Sequence, residues 1–310
     1  MSRASRGASN LTRRGRNRVL AIDAGASAVR VWTPGEDIIE VGTATSERRR
    51  AYDRADATGA ILAATRDVIR PELPRALRRH RHGFRVAVAV PARASVTGRR
   101  RAQAAAQAVN RGGPVVLMEA PLAAAIGANV DIAGTTPRIV LDVGVHGSEA
   151  AVLFDGRVVD VVSCYVGCHD VERAVVAHVY RRHHVVAAPH AAWRALRGGA
   201  LTTFVGGGGN RTEIRVNETE LAADLSVPIA PIVGSVRRVV QRAGSRLGTD
   251  ILAGGIVVVG GGGFLPALLD TLRAEFGART VSALDPRRAI IRGLAEFVGE
   301  AGRHPRLWSP

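Results

Sequence analysis

Val19-Leu20-Ala21-Ile22 runs into Asp23-Ala24-Gly25, and much later Arg138-Ile139-Val140-Leu141 runs into Asp142-Val143-Gly144. Each is a short strand ending in Asp-x-Gly, and each is followed by a second strand, Val29 to Trp32 and Ala150 to Phe154. The second copy continues through Asp155-Gly156 into Arg157 to Val162, an Asp-Gly hairpin between two apolar runs. A strand–turn–strand unit recurring at so long a distance indicates duplicated domains rather than a solenoid of short repeats.

Each copy leads into alternating strand and helix signals. In the first half, Arg85 to Val90 reads as a strand stopped by Pro91. Arg100 to Val109 reads as an Ala-rich helix closed by Asn110-Arg111-Gly112-Gly113. Val115 to Met118 is a further strand and Pro121 to Ile126 a further helix. In the second half, Val171 to Tyr180 reads as helix, and Leu201 to Val216 as a hairpin around Gly206 to Asn210. A long helix is expected from Glu218 to Arg246, interrupted near Pro228 and Pro231. Ile256 to Val259 is a strand leading into Gly260-Gly261-Gly262-Gly263 and a helix from Leu265; a last helix is expected over Pro286 to Phe297.

The 310 residues suffice for about two domains. No apolar run approaches the roughly 20 residues that cross a bilayer, and the basic start lacks the apolar core of a secretory signal. Two cysteines, Cys164 and Cys168, make no disulfide framework. All 43 basic side chains are arginine. Chemistry that depends on lysine is therefore excluded, from a P-loop lysine to a Schiff base. The net charge of +16 fits a solvated, arginine-biased surface, or attraction to an anionic membrane or to nucleic acid. Residues 1–18, rich in Ser, Arg and Gly, read as a disordered basic arm.

Three glycine-bearing turns stand at strand ends: Asp23 to Ser27, Asp142 to Ser148, and Gly260 to Gly263. Glycine lets backbone N–H groups approach a phosphate closely. The first two turns facing each other can clamp a polyphosphate, and Asp23 and Asp142 can hold a hydrated Mg²⁺ between them. The third can take the adenosine side of a nucleotide. A dinucleotide fingerprint is excluded, because G-x-G-x-x-G requires glycine where Leu265 stands. Neither His80/His82 nor His183/His184 has a third ligand in view, so no direct metal site is expected.

Val19 to Trp32 resembles the first phosphate loop of the actin–Hsp70–sugar kinase superfamily. Val88 to Pro91, Arg100 to Ala102 and Val116 to Ala128 resemble the MreB/Mbl family of rod shape-determining proteins. Leu141 to Glu149 is similar to that family's second phosphate loop, Val166 to Ala174 to its next turn and helix, and Leu221 to Val240 to its long helix. Gly255 to Leu268 is similar to its adenosine motif, and Asp285 to Gly293 to its closing helix. The resemblance implies an α/β chain with an actin-like ATPase fold, two duplicated RNase H-like domains around a nucleotide cleft. The expected domains are 19–135, with a much reduced outer part at 34–54, and 136–283, with an outer part near 177–220. A closing helix at 284–303 packs back on the first domain, and a tail follows at 304–310.

By resemblance, phosphates fall to Asp23, Gly25, Ala26, Ser27, Asp142, Gly144, Gly147 and Ser148, and adenosine to Gly260, Gly261, Gly262 and Phe264. The Mg²⁺ water shell falls to Asp23, Glu119 and Asp142, with ATP as the nucleotide. The departures gather at the chemistry. Ala26, Ala28 and Val29 replace the polar residues of the first loop. Val145 and His146 replace two glycines of the second, where a β-branched residue resists positive φ. The family's glutamate before its Arg-Arg pair has no counterpart in Val96-Thr97-Gly98-Arg99, leaving Thr97 and His146 as weak catalytic candidates. The ribose-side acidic and lysine pair is gone at Trp193 to Leu196.

The expectation is an MreB-like cytoskeletal or scaffold protein in cell shape or cell-wall synthesis, with ATP bound weakly or not at all and hydrolysis slow or absent. Its expected place is the cytoplasm, at the inner face of the plasma membrane. Expected partners are further copies, another MreB-type protein, cell-wall synthesis or membrane proteins, and an anionic membrane surface. The alternatives are an active small-molecule kinase of the same superfamily and a basic nucleic-acid binder. The first lacks a carboxylate base; the second lacks a motif and has 4% aromatics for stacking.

Overall fold

The computed structural model describes residues 19–42, 57–73, 84–187, 196, 201–205, 210–214, 216, 218–247 and 250–301. The N-terminal arm, most of the 34–54 segment, His80, His82, Trp193, Gly206 to Gly209 and the 304–310 tail lie outside them. Two compact units emerge. The first draws on Met1–Ala133, Gly156–Val158 and Arg288–Pro310, the second on Gly134–Asp155 and Val159–Arg287.

In the first unit, β1 (Val19–Ala24), β2 (Ala28–Trp32), β3 (Ile39–Gly42), β4 (Arg85–Val90) and β5 (Val115–Glu119) form one sheet in the order β3-β2-β1-β4-β5. The β1–β2 and β2–β3 pairs are antiparallel, whereas β1–β4 and β4–β5 are parallel. The strand period of two sorts the side chains. Leu20, Ile22, Val29, Val31, Val86 and Val88 pack with Ile61, Leu62 and Ile69 of α1 (Ala57–Glu72) and with Ala106 and Val109 of α2 (Val96–Val109). Val19, Ala21, Ala87 and Ala89 face the other way, against Ala120 and Ala123 of α3 (Ala120–Gly127) and Ile291, Leu294 and Val298 of the last helix. Burial on both faces is why these strands read as continuous apolar runs.

The second unit's sheet contains β6 (Arg138–Val143), β7 (Ser148–Phe154), β8 (Arg157–Cys164), β11 (Ile256–Gly260) and β12 (Thr280–Ser282), ordered β12-β11-β6-β7-β8. Asp155 and Gly156 both have positive φ in the turn between β7 and β8, as an Asp-Gly hairpin requires. Helix α4 spans Cys168–His183, and β9 (Leu201–Val205) pairs antiparallel with β10 (Asn210–Ile214). Helix α5 runs over Glu218–Leu247, and α6 (Pro266–Phe276) follows a 3₁₀ turn at Gly261–Phe264.

Two expectations are corrected here. Helix α5 continues through Pro228 and Pro231 without interruption. Leu221, Leu225, Ile229, Ile232, Val233, Val236, Val239 and Ala243 are all buried, and that stripe on both sides of the prolines offsets backbone bonds whose loss costs ~3 kcal/mol. By length and composition α5 also passes for a membrane span, yet this stripe lies in the core of the unit. The last helix, α7, begins at Ala289 rather than Pro286. The Pro286 carbonyl instead accepts the Gly260 N–H at 2.8 Å, which holds the preceding turn against β11.

Candidate functional site

The first turn links β1 to β2. The Gly25 N–H donates to the Ala28 carbonyl at 3.1 Å, closing it tightly, and Ser27 is exposed at its tip. Asp23 is not exposed with it. Antiparallel register places Asp23 opposite Arg30. Both side chains are buried, and Arg30 Nη1 donates to Asp23 Oδ2 at 3.3 Å. Burial pushes the Asp23 carboxyl above its ordinary value, against the opposing pull of the Arg30 guanidinium. Arg30 also donates through Nη2 to Glu40 Oε1 at 3.0 Å. Arg30 was not singled out from the sequence. Its signal was a charge between two apolar residues in a strand buried on both faces.

Helix α2 begins just past Pro91. Ser95 caps it, its hydroxyl accepting the Gly98 N–H at 3.0 Å, and no acidic residue occupies the first turn. Thr97 is exposed and Gly98 is buried. Arg99 reaches the Ala92 carbonyl at 3.1 Å and Glu119 Oε1 at 3.2 Å. Mg²⁺ keeps several waters, and carboxylates must be available to accept from them. In the first unit, however, Asp23 is engaged by Arg30 and Glu119 by Arg99. Asp23, buried and paired with Arg30, does not fit a Mg²⁺ water shell, whereas Glu119 is part-exposed and is held by Arg99 through Oε1.

The second unit brings together the other two turns. Strands β6 and β11 are parallel neighbours, with Asp142 opposite Val259 and Val143 opposite Gly260, so both turns leave the same carboxyl edge. Ligands of α/β sheets collect at such edges. In the Asp142–Ser148 turn, Gly144 N donates to Gly147 O at 2.9 Å. Gly144 O and Val145 O accept the Cys168 and His169 N–H groups that open α4, each at 2.9 Å. These bonds fix the turn without a positive φ anywhere from Gly144 to Gly147, so the strain expected at Val145 is absent. Ser148 is buried, and its hydroxyl donates to Val166 O at 2.7 Å. His146 is half-buried and meets His169 edge-on with ring centroids 5.4 Å apart, and His169 Nδ1 lies 3.5 Å from Glu172.

The Gly260 turn packs directly on this loop. Gly260 has φ 73°, and a Cβ there would stand 2.5 Å from Asp142 Oδ1 and from Val143 O. A Cβ on Gly261 would stand 2.6 Å from Cys168 Sγ, and one on Gly262 would overlap the Val143 side chain. The glycines are therefore required by the protein's own close packing. That packing locks the Asp142 loop to the turn assigned to adenosine, with Phe264 half-buried at its end. Burial, with the Glu172 and Asp142 carboxylates adding to it, pushes the Cys168 thiol far above the usual thiol range.

Comparison with known proteins places these features. A family model described as MreB/Mbl protein matches residues 58–197 and 205–304. The cell shape-determining protein MreB of Escherichia coli (strain K12) is 30% identical over 221 residues, 67% of this chain and 63% of that protein. The cell shape-determining protein Mbl of Bacillus subtilis (strain 168) is 23% identical over 205 residues, 62% of this chain and 61% of that protein. The matches thus span less than two thirds of these relatives' length. Among solved structures, MreB5 of Spiroplasma citri bound to ADP superposes with a TM-score of 0.74 over 93% of this chain and 98% of that one, at 15% identity. The MamK double helical filament gives 0.68 over 90% and 98%, at 16% identity. The fold is that of the actin-like ATPases, two mixed sheets with helices.

Proposed function

This chain belongs to the MreB/Mbl family, and we propose that it works as a bacterial actin-like cytoskeletal protein whose ATP binding is retained in weakened form and whose hydrolysis is slow or absent. The observation that carries the reading lies in the second unit, where the Asp142 loop and the Gly260 turn are interlocked at one carboxyl edge of the sheet. Such an edge, lined by backbone rather than lysine, suits a nucleotide. The solved relatives bound to ADP and AMPPNP support the ligand class. Slow hydrolysis follows from α2. Its first turn has no carboxylate, and a small buried glycine stands before Arg99. Phosphoryl transfer to water needs a group that orients the attacking water, and exposed Thr97 or half-buried His146 is a poor replacement.

Function then rests on assembly rather than turnover. Self-association, or co-assembly with another MreB-type chain, is the partner reading, and the MamK filament is the structural parallel. Cell shape and cell-wall synthesis at the cytoplasmic face of the membrane are the setting. The net charge of +16 supplies attraction to an anionic surface.

The test is a thermal-unfolding titration with Mg²⁺-ATP, with GTP and tripolyphosphate as controls for anion binding to so basic a chain. A specific ligand at ~100 times its Kd stabilises by about 2.7 kcal/mol. An ATP-selective shift, phosphate release near background and sedimentable polymer are expected. Equal shifts with all three anions sink the nucleotide reading. Phosphate release at the rate of an authentic family ATPase sinks the slow-hydrolysis reading.

A further inference from the structure

Arg30 sits between Val29 and Val31, both essentially inaccessible, and is itself only 5% exposed. It lies on the sheet face opposite those valines, the face that α3 and α7 cover. Its guanidinium holds Asp23 through Nη1 and Glu40 through Nη2, while Arg288 Nε stands 3.8 Å from the other Glu40 oxygen. Two carboxylates face two guanidinium groups, so no negative charge is left over for a divalent cation. A Cβ on Gly25 would lie 3.8 Å from Arg30 Nη1, so this fixed cation backs the first turn itself. Its Nε is buried without a hydrogen-bond partner, so the guanidinium is not saturated by its carboxylates. The second carboxylate assigned to the Mg²⁺ water shell in this unit, Glu119, is likewise held by an arginine, Arg99.

Resting on the nucleotide reading above, we propose that Arg30 supplies the charge a divalent cation would otherwise bring to the first turn, and that ATP binding by this chain does not require Mg²⁺. Arginine stays protonated throughout the pH range of a folded protein, so the charge is permanent. Free ATP carries more negative charge than its magnesium complex. An aspartate neutralised by a fixed cation therefore does not repel the free nucleotide, as an aspartate with no such partner would.

The experiment titrates the full chain with ATP in excess EDTA and in excess Mg²⁺, with GTP and tripolyphosphate alongside. ATP-selective binding with the two Kd values within about threefold is the expected result. Arg30→Gln, which removes the charge and leaves a shorter neutral amide in its place, should weaken binding in EDTA by about tenfold and in Mg²⁺ much less. ATP-selective binding in Mg²⁺ that weakens more than about threefold in EDTA overturns the proposal while leaving the nucleotide reading standing. A variant that binds like the wild type in both buffers overturns the role of Arg30. Loss of ATP selectivity in both buffers sinks the nucleotide reading and this inference with it. If Arg30→Gln does not fold, the wild-type comparison decides alone.

Discussion

Substituting Gly293 in α7 tests the packing that covers the Asp23–Arg30 pair. Helices α3 and α7 cross through two glycines. A Cβ on Gly293 would overlap the Ala123 carbonyl oxygen and stand 2.7 Å from the Ala123 carbonyl carbon and 2.8 Å from Gly127 N. Reciprocally, a Cβ on Gly127 would overlap Ala289 O and stand 2.6 Å from Gly293 N. Ordinary contacts are 3.4–4 Å, and every atom met is backbone, so relief requires moving one helix away from the other. Overpacking of this kind costs about 1–3 kcal/mol, and contact with rigid backbone argues for the top of that range. Alanine's helix propensity returns about 1 kcal/mol. The net loss is about 2 kcal/mol, a fall in Tm of roughly 4–8 °C for a unit of this size. Gly299, in the same helix, is exposed with nothing within 4 Å of its added Cβ. Gly299→Ala should therefore stabilise by about 0.5–1 kcal/mol. Thermal and urea melts of the two variants read opposite signs if the crossing is as close as described. If both variants gain stability, the close approach of α3 and α7 is wrong, and so is the shielding it gives the buried ion pair.

Two more outcomes follow from side chains elsewhere. Asp224 on α5 is held by His178 Nδ1 at 2.8 Å and by Arg181, both on α4, which draw its carboxyl below the ordinary 3.8. A depressed folded-state value means that stabilisation is present above the ordinary carboxylate range and is lost as pH falls through the folded value. Asp224→Asn should thus flatten the acid limb of urea midpoints measured below about pH 5, and an unchanged limb would show that the pair contributes nothing. For the thiols, burial of Cys168 beneath the Gly261 turn predicts one fast-reacting thiol, Cys164, in the native protein and two in denaturant. Two fast thiols under native conditions would mean that the interlocked turns open readily.

Much of the fold was legible because it rests on local periodicity. The runs Val19 to Ile22, Arg85 to Val90, Arg138 to Leu141 and Ile256 to Val259 are apolar on both strand faces, and each became a central strand. The Asp155-Gly156 hairpin and the cap at Asn110 to Gly113 were readable because turn chemistry acts within a few residues. Helix α1 and strands β3 and β12 went unassigned, since their signals are short or weakly periodic. The continuity of α5 through Pro228 and Pro231 was misread, because proline's local cost is visible in sequence and the buried stripe that offsets it is not.

By itself the sequence determined the strands, the duplicated Asp-x-Gly turns and the absence of a carboxylate over Val96 to Gly98, all of which lie in consecutive residues. Tertiary structure alone decided three things: that Arg30 occupies Asp23, that the Gly260 turn is filled by Val143 and Cys168, and that α3 and α7 meet through Gly127 and Gly293. The physical reason is common to all three. Each depends on which strand lies opposite which, in what register, and how closely two backbones approach. Those distances are fixed by packing between segments far apart in the chain, and no local pattern of side chains encodes them.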